Sequence, residues 1–138
     1  FSRRNQGNLT MASADKPGIL KIQRALNNAD LVGMLPDQDP GVGSGLMSPF
    51  FGKKVNTMTL LARIAKKQNA QVLMFWAERL DNGQGYDLYL EPVDLCANGD
   101  NLEERVGQMN QSIESLIRKK PEQYLWSYRR FKSSHSYT

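Results

Sequence analysis

One cysteine, Cys96, and one histidine, His135, occur in the 138 residues. A lone cysteine cannot close an intrachain disulfide, and one of each cannot build a Cys/His metal site. No metal is therefore expected, and a reducing compartment fits. His135 stands in a Ser-rich tail three residues from the end, a setting that suits a disordered terminus better than a catalytic base. No apolar run approaches the roughly 20 residues needed to cross a bilayer. A G-x-S-x-G elbow and a Ser-His-Asp set are also missing. The glycines Gly41, Gly43 and Gly45 are spaced G-x-G-x-G with no Lys-Ser/Thr pair after them, so a phosphate-cradling nucleotide loop loses its support and no cofactor is expected. The first residue is Phe1, and no basic segment followed by an apolar one precedes the domain. That start reads as a cut, with any targeting signal upstream of it.

The residues that are present have a globular balance. At 40% hydrophobic and 23% charged, the chain suits one domain with a single core. Residues 1–132 are read as that domain and 133–138 as a polar tail. Net charge is +4, a bias compatible with nucleic acid, anionic lipid or an acidic protein partner. The cations gather at Arg3-Arg4, Lys53-Lys54, Lys66-Lys67, Arg118-Lys119-Lys120 and Arg129-Arg130 with Lys132. Each group also reads as a solvated face or a helix C-terminus. Tyr124, Trp126, Tyr128 and Phe131 lie among the last of these cations. They suit stacking on bases beside neutralised phosphates, and equally a segment docked on the core.

Asp15-Lys-Pro-Gly can cap a helix carrying Ile19, Leu20, Ile22, Ala25 and Leu26 to about Asn28. The apolar run Leu31-Val-Gly-Met-Leu35 reads as a buried strand ended by Pro36. Residues 37–52 read as a loop rich in glycine and proline. A second helix is expected from a cap at Asn56 or Thr57, through Met58, Leu60, Leu61, Ile64 and Ala65, to Gln68-Asn69. Gln71 to Trp76 and the alternating Tyr86, Leu88 and Leu90 are expected to pair as a hairpin about Asp81-Asn-Gly-Gln-Gly85, the latter strand half-buried. Asp100 to Lys120 reads as a helix with Leu102, Val106, Met109, Ile113, Leu116 and Ile117 on one side and a basic last turn. This order indicates an α/β layered domain with a mixed sheet.

Two stretches carry candidate chemistry. Asp37 follows the C-terminal end of the expected strand at Leu35, where open α/β sheets place ligands, and it equally suits an Asx-turn or an ion pair that fixes the loop. The adjacent aromatics of Pro49-Phe-Phe-Gly52 suit the core, or the wall of an acyl-chain groove.

These same segments resemble the lipid A biosynthesis acyltransferases of Gram-negative bacteria. The resemblance runs through Arg3-Arg4-x-x-Gly7, Val32-Gly-Met-Leu-Pro-Asp-Gln-Asp-Pro40, Ser48-Pro-Phe-Phe-Gly52, Thr57-x-Thr-Leu-Leu-Ala-Arg63, Ala77-Glu-Arg79 with Gly83-x-Gly-Tyr86, and Pro121-Glu-Gln-Tyr-Leu-Trp-Ser-Tyr-Arg-Arg-Phe-Lys132. It implies an αβα glycerolipid-acyltransferase-like fold, of which this chain would be the C-terminal portion. It also implies transfer of a fatty acyl group from an acyl carrier protein thioester to a hydroxyl of the Kdo-bearing lipid A precursor, at the cytoplasmic face of the bacterial inner membrane. The family's general base is the histidine of an H-x-x-x-x-D/E motif that lies upstream of the segment matching Arg3, and His135 has no acidic residue four positions later. The chain is accordingly expected to hold no catalytic residue and to be inactive alone.

Binding residues carry over by position. Arg3 or Arg4 suits a substrate phosphate or phosphopantetheine, because the guanidinium fork grips phosphate bidentately. Asp37 and Gln38 match the acidic loop, and Phe50, Phe51, Gly52 and Thr57 match the segment expected to shape the acceptor or acyl pocket. Arg79, Arg129, Arg130 and Lys132 are expected to meet anionic head groups, an anionic membrane surface or the acidic carrier protein, with Tyr124 and Trp126 packed on the domain. No nucleic acid is expected as a partner on this reading. The competing reading is a non-catalytic basic module that binds anionic lipid or nucleic acid.

Overall fold

A computed structural model of the chain describes residues 9–132. They fall in two compact units, whose boundary lies between Met34 and Leu35.

The first unit is built on α1 (Lys16–Asn27). The Asp15 carboxylate accepts the Gly18 N–H at 2.9 Å and Pro17 stands in the first turn, the two features that start a helix without competing for its backbone bonds. Lys21 Nζ donates to the Met11 carbonyl at 2.9 Å and ties the lead-in segment to the helix. The strand expected at Leu31–Leu35 does not form. Those residues are irregular, with Leu31 and Leu35 exposed, and the ladders among the described residues run elsewhere. Apolar composition makes a strand only where a neighbour supplies hydrogen-bond partners. The topological reason for a ligand beside Asp37 falls with that strand.

The second unit is mixed α/β: β1 (Leu46–Phe50), β2 (Lys53–Thr57), α2 (Leu60–Gln68), β3 (Val72–Arg79), β4 (Tyr86–Val93) and α3 (Leu102–Lys119), followed by a 3-10 turn at Pro121–Gln123. Its strands form two separate antiparallel hairpins, β1-β2 and β3-β4, rather than one mixed sheet among the described residues. The first hairpin lies where a loop was expected to reach Gly52. Phe50 pairs with Lys53, so Phe51 and Gly52 form a two-residue turn, with φ of 48° and 74°. That backbone requires positive φ at both positions, which glycine adopts freely and phenylalanine does not. Phe51 is held there by partners. Its N–H donates to Glu114 Oε1 at 2.8 Å, and its ring lies under Arg118, 4.9 Å from the guanidinium carbon.

α2 starts after Thr59, two or three residues later than a cap at Thr57 or Asn56 would place it, and ends at Asn69 in the left-handed conformation that commonly closes a helix. α3 opens on a reciprocal capping box. Asn101 Oδ1 accepts the Glu104 N–H at 2.8 Å, and Glu104 Oε2 accepts the Asn101 N–H at 3.2 Å. Val106, Met109, Ile113 and Ile117 recur on its buried face and meet Phe50, Val55, Ala62, Met74 and Leu95 in one core.

The β3-β4 hairpin forms about the expected turn, but its exposed face is not the expected one. Tyr86, Leu88 and Leu90 are 64–68% exposed, on the same side as their cross-strand neighbours Arg79, Ala77 and Phe75. Met74 on the other face enters the core, and beside it Trp76 stacks on Tyr89 at 4.7 Å. Alternation shows that two faces exist. Which one is covered depends on where α3 docks.

Candidate functional site

The polar groups of the second unit converge where the acidic loop meets the end of β2 and the segment after α3. Pro40, Gly41, Gly43 and Gly45 keep the loop out of regular structure, so its backbone is satisfied by side chains from afar. The Asp39 N–H donates to the Tyr128 hydroxyl at 2.9 Å. The Asp39 side chain, with no exposed surface, accepts the Gly41 N–H at 2.8 Å and Asn56 Nδ2 at 3.3 Å. Asn56 Nδ2 also donates to the Gly41 carbonyl at 2.8 Å. Gly45 is required here. A Cβ on it would lie 2.4 Å from Asn56 Oδ1 and 2.7 Å from the Thr57 carbonyl oxygen, and its φ of 91° suits no other residue.

Behind the loop lies Arg130, 1% exposed. Its Nη1 donates to the Asn56 carbonyl at 2.6 Å and its Nη2 to Thr57 Oγ1 at 2.8 Å. The guanidinium carbon lies 5.2 Å from the Phe50 ring centre. Asn110 on α3 completes the group, donating to Thr57 Oγ1 at 3.1 Å and to the Pro49 carbonyl at 2.9 Å. Burial pushes the Arg130 pKa down, opposed by Tyr124, Asp39 and Asp37. Burial also raises the Tyr124 phenol, with Asp37 adding to the rise. Both shifts place Asp37 within electrostatic reach of this group.

Arg130 is therefore not the accessible cation expected from the sequence. Buried charge persists only where hydrogen bonds replace water, and here the guanidinium joins the C-terminal segment to β2. Thr57 and Phe50 are likewise without exposed surface. Phe51 is half-buried beside Trp126, ring centres 5.9 Å apart, and Gly52 is exposed in the turn. Asp37 is half-buried and Gln38 exposed in the acidic loop. Arg129 and Lys132 are exposed as expected, Lys132 Nζ lying 3.9 Å from Asp39 Oδ1. Arg79 is exposed at the end of β3, apart from the cluster. Its N–H and C=O pair with the Gln123 amide at 2.8 and 3.0 Å. Tyr124 packs against the core, whereas Trp126 is half exposed, its Nε1 donating to the Pro121 carbonyl at 2.7 Å. Arg3, Arg4 and His135 lie outside the described residues.

Four members of the cluster were not named as site residues from the sequence: Asp39, Asn110, Asn56, which was expected to cap α2, and Tyr128, which was expected to stack on bases or dock on the core. Asn110 did carry a signal, since it stands one turn before Ile113 and beside Met109 on the apolar row of α3. A polar residue in such a row needs buried partners. Asp39 lies in the flagged loop, but nothing local separates its inward side chain from that of Asp37.

Among the described residues the cluster gathers carboxylate, amide, hydroxyl and guanidinium groups held in mutual hydrogen bonds. Exposed Cys96 has its thiol pKa pushed up by partial desolvation and by its hydrogen bond to Asp100. Among the described residues no three His, Cys, Asp or Glu gather as a metal site, and no helix is long and apolar enough to cross a membrane.

Comparison with known proteins matches residues 1–133 to the family described as bacterial lipid A biosynthesis acyltransferase. A lipid A biosynthesis lauroyltransferase of Escherichia coli is 31% identical over 120 residues, which cover 86% of this chain and 39% of that protein. A lipid A biosynthesis palmitoleoyltransferase of the same species is 32% identical over 110 residues, covering 79% of the chain and 36% of the relative. A lipid A biosynthesis acyltransferase of Haemophilus influenzae is 33% identical over 93 residues, covering 67% and 28%. The chain thus spans about two fifths of the length of the first two relatives, and it belongs to the bacterial lipid A biosynthesis acyltransferase family.

Proposed function

We propose that this chain is the C-terminal, substrate-binding part of a longer acyltransferase with a layered αβα fold, and that residues 1–132 belong to one domain of it. The complete enzyme transfers a fatty acyl group from an acyl carrier protein thioester to a hydroxyl of the Kdo-bearing lipid A precursor at the cytoplasmic face of the inner membrane. The observation that carries this reading is the family match through residues 1–133.

The division of labour follows from the side chains. The acceptor hydroxyl must lose its proton as the acyl bond forms, a task for a histidine supplied by a part of the enzyme outside this sequence. Arg3 or Arg4 grips phosphate. Asp37 and Gln38, in a loop fixed by Asp39 and Asn56, meet the acceptor, because they are the loop's acidic and amide groups least engaged in holding it. Phe51 and Gly52 flank the acyl chain, while Phe50, Thr57 and Arg130 brace the site from behind. Arg79, Arg129 and Lys132 face anionic head groups or the acidic carrier protein.

The test is acyl transfer from labelled acyl carrier protein to the lipid precursor, run with the full-length polypeptide and with the 138-residue chain alone. Transfer by the full-length protein only is the expected result. Robust turnover by the short chain, abolished by His135→Ala, would overturn the division of labour, and an inert full-length protein would overturn the activity.

A further inference from the structure

We propose that the Tyr128 hydroxyl is a positioning group for the acceptor, fixing the backbone of the acidic loop so that Asp37 and Gln38 hold their places. This inference rests on the acyltransferase reading and adds to it a residue that acts through the loop. The Asp39 N–H reaches this hydroxyl at 2.9 Å across 89 residues of sequence, so the loop takes its backbone geometry from the segment after α3. That segment is itself anchored. Two residues beyond Tyr128, Arg130 bonds to Asn56 and Thr57, and Phe131 lies against Phe50 with ring centres 5.8 Å apart. An unbroken series of contacts therefore runs from the core through Arg130 and Tyr128 to the peptide two residues past Asp37.

The loop does not depend on Tyr128 to stay closed. The Asp39 side chain and Asn56 hold the same stretch, Asp39 to Gly41, through three further hydrogen bonds. Losing the phenol oxygen then removes one net bond among several and leaves the fold intact. What it releases is the Asp39 peptide, and through it the aim of Asp37 and Gln38. Transfer chemistry tolerates little such movement, because misplacement of about 1 Å costs on the order of a hundredfold. The effect falls on the substrate that these two residues meet and leaves the other substrate alone.

The experiment compares wild type, Tyr128→Phe and the control Tyr86→Phe in the full-length polypeptide. Amide hydrogen exchange at Asp39 reads the clamp without reference to activity, and steady-state kinetics varies the lipid acceptor and the acyl carrier thioester separately. Tyr128→Phe is expected to speed Asp39 exchange at least about tenfold and to raise the acceptor KM about five- to tenfold. The thioester KM and the thermal midpoint should stay near wild type, and Tyr86→Phe should change nothing. Unchanged Asp39 exchange would overturn the clamp. Faster exchange with unchanged acceptor KM, or an equal loss for both substrates that tracks unfolding, would overturn the positioning role. Wild-type protein without acyl transfer would overturn the underlying activity, and it is distinguished from failure of the clamp by the exchange measurement.

Discussion

Arg130 Nη2 and Thr57 Oγ1, 73 residues apart in sequence, form a buried hydrogen bond of 2.8 Å. With the 2.6 Å bond from Nη1 to the Asn56 carbonyl, it fastens the segment after α3 to the strand that borders the acidic loop. Both bonds are charge-assisted, and truncation takes the guanidinium donor from the Asn56 carbonyl and leaves Thr57 Oγ1 with Asn110 alone as its side-chain donor. Arg130→Ala should therefore cost about 3 kcal/mol or more of unfolding free energy. Arg130→Lys should recover only part, since one ammonium cannot reproduce the planar fork. Urea denaturation measures both; a loss under about 1 kcal/mol for Arg130→Ala would show that the bonds carry little.

Arg129 and Lys132 are exposed beside that buried partner. Binding to anionic vesicles should weaken roughly fivefold for each of these two charges removed, at about 1 kcal/mol per cation near the surface, and should weaken further with salt. Cosedimentation with vesicles at low and high salt checks this. Binding by Arg129→Ala/Lys132→Ala equal to wild type at low salt would remove the membrane-facing role of the segment.

Glu78 and Lys120 form an ion pair at 2.8 Å, with the glutamate side chain 17% exposed. The hydrogen bond from Lys120 holds the Glu78 carboxyl below its ordinary 4.5, and the same bond lifts Lys120 above its ordinary 10.5. A lowered acid stabilises the fold above its ordinary value, and the benefit is lost as pH falls through the lowered one. A raised base stabilises below its ordinary value, and the benefit is lost as pH rises through the raised one. The pair therefore contributes from about pH 5 to about pH 10. Thermal midpoints of wild type and Glu78→Gln should differ most across that window, converge in acid, and approach each other at high salt. A difference that stays constant below pH 3 would contradict the pairing.

Legibility in the sequence followed locality. α3 was visible because its apolar row and basic last turn lie within one segment, and the β3-β4 hairpin because Asp81-Asn-Gly is a turn signal in itself. The β1-β2 hairpin was hidden by Pro49, which argues against a strand, and by Phe51 at a turn position that glycine or asparagine normally fills. Pro49 is tolerated because β1 is paired on one side only among the described strands. Leu31–Leu35 misled for the opposite reason, having strand composition and no neighbour. In the site, Asp37, Thr57 and Arg130 were singled out by motif, but their environments were not legible. Arginine is exposed by default, and the partners that bury Arg130 lie 73 and 74 residues away.

The claim that this chain carries the acceptor-binding part of the enzyme is tested most directly at Asp37. Asp37→Asn keeps the side chain's shape and removes its charge, and the loop remains held through Asp39, Asn56 and Tyr128. In the full-length polypeptide, kcat/KM for the lipid acceptor should fall at least about tenfold, or roughly 1.4 kcal/mol of transition-state stabilisation, with an unchanged thermal midpoint. Full activity in the Asn variant, or a loss that merely follows unfolding, would contradict the account and return Asp37 to the residues that only shape the loop.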